Sequence, residues 1–150
     1  MREKLANAMK QALKAGDKTR LGAVRLIQAA LKDKDIEARG LGKGQASPEE
    51  MLSLLQKMIK QRQESLEIYI KGGRPELAAQ EKAEIDVISG FLPAQMSQDQ
   101  VAAAIKAAIA ETGAASVKDM GKVIGALKAK FAGQMDFGQA SGMVKAALAG

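Results

Sequence analysis

Apolar residues recur along this chain at helical intervals, and glycine or proline closes each run. Leu5, Met9, Ala12 and Leu13 share one face from the start, and Gly16-Asp17 ends their pattern. Val24, Ile27 and Leu31 form a second series, so the spacing predicts helices over about residues 3–15 and 18–38. Arg39-Gly40-Leu41-Gly42-Lys43-Gly44-Gln45-Ala46 has three glycines in eight positions and reads as a mobile loop. Ser47, Pro48 and Glu50 then give a capping box with proline at the first helical position. The helix they open carries Met51, Leu55, Met58, Ile59, Leu66 and Tyr69 on one side, until Lys71-Gly72-Gly73-Arg74-Pro75 breaks it. A fourth helix from Pro75 presents Leu77, Ile85 and Ile88 and stops at Ser89-Gly90.

Phe91-Leu92-Pro93 reads as a joint, because a helix stop, a proline and a new capping box at Ser97-Gln98-Asp99-Gln100 crowd together there. The helix after the joint turns Val101, Ile105, Ala108 and Ile109 inward, and Gly113 closes it. Ser116 begins another, with Val117, Met120, Ile124, Leu127 and Phe131 as its stripe, and Asp136 caps a last one with Phe137, Val144 and Leu148. The pattern predicts an all-α chain, with a four-helix bundle-like lobe over residues 1–92 and a three-helix lobe over residues 93–150.

Composition supports this picture, since Ala, Leu, Lys, Glu and Gln favour helix and only Phe91, Phe131, Phe137 and Tyr69 are aromatic. The start, Met1-Arg2-Glu3-Lys4, lacks the apolar run of a secretory signal, and no stretch is apolar enough for a membrane span. A soluble, cytoplasmic protein without membrane partners is expected. The absence of cysteine and histidine excludes disulfides, thiol catalysis, thiolate metal sites and the usual general base. The net charge of +6 attracts polyanions, although the basic residues alternate with acids along the helices and form no tail.

The Gly40-Leu41-Gly42-Lys43-Gly44 segment lacks the spacing and the preceding strand of a phosphate-binding loop, which leaves a connector. Glu64, Glu67, Glu81, Glu84 and Asp86 fit exposed pairs with lysine at i to i+3 or i+4 better than a catalytic or metal-binding set. No catalytic residue, metal or cofactor is therefore expected. Arg62 and Gln63 interrupt the inward stripe of the third helix. A carboxylate on the fourth helix would be a natural partner, but an arginine lying across the bundle with its charge near water is the preferred expectation.

Opposite the stripe of the Val117-to-Phe131 segment, Lys118, Gly121, Lys122, Gly125 and Ala129 share the facing or flanking side. Glycines at i and i+4 cost about 1 kcal/mol each relative to alanine. Two reasons for keeping them remain open on periodicity alone: close approach of an RNA backbone flanked by lysines, or close packing of a neighbouring helix.

Lys57-Met58-Ile59-Lys60-Gln61-Arg62, Gly72-Gly73-Arg74, Phe91-Leu92-Pro93 and Lys118-Asp119-Met120-Gly121-Lys122-Val123 together resemble the GatB/YqeY family over essentially the whole chain. The C-terminal lobe is similar to the tail of the B subunit of glutamine-dependent aminoacyl-tRNA amidotransferases. In those carbon–nitrogen ligases the tail is a tRNA-binding element, while other parts perform the chemistry. The resemblance therefore implies a tRNA-associated module without its own catalytic centre, and it tips the two glycines towards RNA. Lys118, Gly121, Lys122, Gly125, Lys128 and Lys130 are the expected RNA-binding residues. Few aromatics means little base stacking, so the backbone would be recognised by shape. The rival expectation is an adaptor that docks on a synthetase or an amidotransferase through apolar surface near Phe91 and Leu92.

Overall fold

The computed structural model describes residues 1–149. They form seven α-helices and no strand: α1 (Arg2–Ala15), α2 (Lys18–Gly40), α3 (Pro48–Lys71), α4 (Pro75–Ser89), α5 (Gln98–Thr112), α6 (Met120–Phe131) and α7 (Phe137–Ala149). A single 3₁₀ turn, Val117–Asp119, precedes α6. The chain divides into two compact units, Met1–Leu92 and Pro93–Gly150.

Local chemistry sets the helix ends. At α3 and α5 the capping serines, Ser47 and Ser97, accept from the amides of Glu50 and Gln100, whose side chains accept in return from the serine amides. Such reciprocal caps satisfy donors that a helix start otherwise strands. Asp17 caps α2 by accepting from the Arg20 amide, and Asp136 accepts from Gly138 and Gln139 at the start of α7. Between α3 and α4 the turn needs a positive φ, +69° at Gly73, where a Cβ would be strained.

In the first unit α2 is the hub: α1, α3 and α4 all pack on it, α3 also packs on α4, and α1 and α4 do not pack on each other. Leu5, Val24, Ile27, Leu55 and Ile88 form the sealed centre. Leu13 does not join it and is half exposed, whereas Ala8 and Ala12 of α1 are buried. Phe91 is buried in the same core and Leu92 packs against it. The core thus takes up most of both side chains, which leaves little apolar surface there for docking.

Residues 39–46 are more ordered than three glycines imply. Arg2 donates both terminal nitrogens to Asp35, each at 2.7 Å, and also reaches the carbonyl of Ala46. The Ala46 amide donates to the same Asp35 carboxylate, and the Ala46 side chain is buried. One carboxylate thus ties the N-terminus, α2 and the end of the loop together. These hydrogen bonds, with the guanidinium of Arg2 first among them, hold the Asp35 carboxyl at about 2.

The second unit packs α5, α6 and α7 mutually around Ile105, Val123, Leu127, Met135, Ala140 and Val144. Its entering segment is anchored, since Met96 donates its amide to the Gln134 carbonyl and Gln95 donates its side-chain amide to the Gly133 carbonyl.

Candidate functional site

The element expected to run unbroken from Val117 to Phe131 is a 3₁₀ turn followed by α6. Ser116 and Asp119 cause the break. The Asp119 carboxylate accepts from the amides of Ala115 and Ser116, which draws the chain into a tight turn before the α-helical ladder starts. Those two bonds pull the Asp119 carboxyl below its ordinary value. Val117, expected in the stripe, is exposed, whereas Val123 and Leu127 carry the fully buried line. Met120, Ile124 and Phe131 flank that line, half-buried.

At about 100° per residue, Lys128, Gly121, Gly125, Ala129 and Lys122 fall within an arc of about 120° on the opposite side, and all five are exposed. Both glycines are open: a Cβ built at Gly121 or Gly125 meets nothing within 4 Å. Within the described residues, close helix packing does not account for them.

The lysines differ in their freedom. Lys118 is exposed, with no partner among the described residues. Lys122 stands at the edge of contact with Asp119, 4.0 Å away and largely in water. Lys128 sits over the ring of Phe137, 5.9 Å from its centroid, a weak attraction for an exposed ammonium. Lys130 is set apart from the glycine face and binds Glu111 of α5 at 2.7 Å. Lys122 and Lys128 thus share the face of the two glycines, Lys118 stands exposed on the 3₁₀ turn before it, and Lys130 is held at the α5 edge.

Arg62 does not lie loose over the bundle. Its Nε donates to Glu84 of α4 at 2.9 Å and its Nη1 to the Met58 carbonyl, with both charged side chains about five-sixths buried. Gln63, by contrast, is exposed. Pairing and hydrogen bonding offset the desolvation that keeps such groups at the surface. Glu64, Glu67 and Asp86 are exposed, and no group of three or more Asp or Glu residues that could hold a metal occurs among the described residues.

Two small helical units, the second presenting an open glycine–lysine face, define an all-α protein. The model of the YqeY-like protein family matches residues 2–148, and the chain belongs to that family. It is similar to "Altered inheritance of mitochondria protein 41, mitochondrial" from Lachancea thermotolerans, 31% identical over 88 residues, which are 59% of this chain and 46% of the relative. The proteins of that name from Saccharomyces cerevisiae S288c, with the same identity and coverage, and from Eremothecium gossypii, 29% identical over 90 residues, 60% of this chain and 48% of the relative, match as well. The aligned stretch is just under half the length of these relatives.

Proposed function

We propose that this protein is a tRNA-associated helical module, working in the cytoplasm beside glutamine-dependent transamidation, that meets the RNA backbone through the exposed face of α6. The observation that carries this is the open pair Gly121 and Gly125 on the same exposed face of α6 as Lys122 and Lys128, with the exposed, unpaired Lys118 on the turn before it. A surface without side chains lets a phosphodiester strand approach the helix closely, and flanking ammonium groups neutralise it. Asp119 limits the local field next to Lys122, which favours shape-dependent contact of modest affinity. Lys130, held by Glu111, would have to leave its partner to take part.

The test is a salt titration of tRNA binding by the chain and by a variant carrying Lys118→Glu and Lys122→Glu. The variant should bind more weakly and lower the magnitude of the slope of log K against log salt by about two, similarly for different tRNA sequences. Unchanged binding in a variant that melts normally would remove the RNA module. An adaptor for a synthetase or amidotransferase would then stand, favoured by Ile68 and Ile70, which are 67% and 63% exposed at the end of α3.

A further inference from the structure

Because α1 and α4 both pack on α2 and not on each other, a cleft of about 290 Å³ opens between them. Its floor is apolar, made by Ala8, Val87 and Phe91, and its walls carry Lys4, Asn7 and Gln11 of α1, Arg20 of α2 and Asp86 of α4. None of these five polar side chains has a hydrogen-bond or ion-pair partner among the described residues. Two cations and a carboxylate therefore line one concavity without pairing across it, the opposite charges standing more than the 4.0 Å of a salt bridge apart.

We propose that this cleft binds a small zwitterion, an α-amino acid with an apolar side chain. A carboxylate bridges to Arg20 and Lys4, an ammonium to Asp86, and the apolar side chain covers Val87 and Phe91. A plain anion would face the Asp86 charge, and a plain cation would face two like charges; only a ligand carrying both signs satisfies the walls together. The polarity of the helices agrees, since Arg20 stands in the first turn of α2 and Asp86 in the last turn of α4, where the backbone field favours an anion and a cation respectively. Asn7 and Gln11 supply amide donors and acceptors for the same head group.

The test is a two-dimensional NMR titration of the full chain with L-leucine, N-acetyl-L-leucine, L-leucine methyl ester and inorganic phosphate. Leucine should give saturable shifts at the backbone amides of Lys4, Gln11, Arg20 and Gly90, with a dissociation constant on the order of 1 mM, as suits a small ligand in an open cleft. Each blocked form, having lost one charge-assisted contact, should bind about tenfold more weakly. Asp86→Asn should weaken leucine by a similar factor and leave N-acetyl-leucine unchanged. The proposal is overturned if leucine produces no saturable shift, if N-acetyl-leucine binds as well as leucine, or if phosphate alone reproduces the shifts. The cleft lies wholly within the first unit and α6 within the second, so the outcome is independent of the RNA titration.

Discussion

At the scale of single residues, two charged contacts organise the first unit, and they were unequally legible. Arg62 broke an apolar stripe, which marked it as unusual, but its preference for the surface outweighed a partner 22 positions away. Deleting one member of this part-buried pair strands the other, so Arg62→Ala should cost about 1–3 kcal/mol in urea denaturation. Glu84→Gln should cost less, because an amide oxygen still accepts from Nε, and the two losses should be non-additive. Arg2 and Asp35, 33 positions apart, carried no signal at all, since periodicity speaks only of neighbours along a helix. The Asp35 carboxyl is held at about 2, below its ordinary 3.8, so the unfolded chain binds that proton first. Its contribution to stability is complete above about pH 4 and is lost as pH falls towards 2. The urea midpoint of Asp35→Asn should therefore lie well below that of the parent at pH 6, and the gap should close by about pH 2.

At the scale of elements, the helix ends were legible because the caps are local chemistry: Ser47, Ser97 and Asp136 each bind the amides their spacing implies. The start of α6 was not. Ser116 was visible as a helix start, but whether it opens an α-turn or a 3₁₀ turn depends on how the next residues pack. That difference put Val117 outside and gave the sealed positions to Val123 and Leu127. The exposure of Gly121, Lys122, Gly125 and Lys128 follows from the helical period alone. What fixes Lys130 to Glu111 comes from α5 and could not be read from α6. The open space at Gly125 has a direct consequence. Gly125→Ala should stabilise the protein by about 0.5–1 kcal/mol in thermal or urea melts, through helix propensity alone. If the bare surface serves RNA, the same substitution should weaken tRNA binding while raising the melting temperature.

At the scale of the whole molecule, the chain keeps two separate cores, one built by α1 to α4 and one by α5 to α7, which share no buried residue. Each has its own sealed centre, Leu5, Ile27, Leu55 and Ile88 in the first and Val123, Leu127 and Val144 in the second. A cavity cut into one core weakens the packing of that core alone, and the free energy of local opening falls with it. Leu127→Ala should thus destabilise the second unit by about 2–5 kcal/mol. In native-state hydrogen exchange, the amides of α5, α6 and α7 should lose protection together while those of α2, α3 and α4 keep theirs. A uniform loss across all seven helices would mean that the units unfold as one cooperative body, and that a charge change on α6 cannot be assumed to leave the first unit intact. With the losses confined to the second unit, Lys118→Glu and Lys122→Glu can be read as changes in binding, because any unfolding they caused would show in α5 to α7 alone.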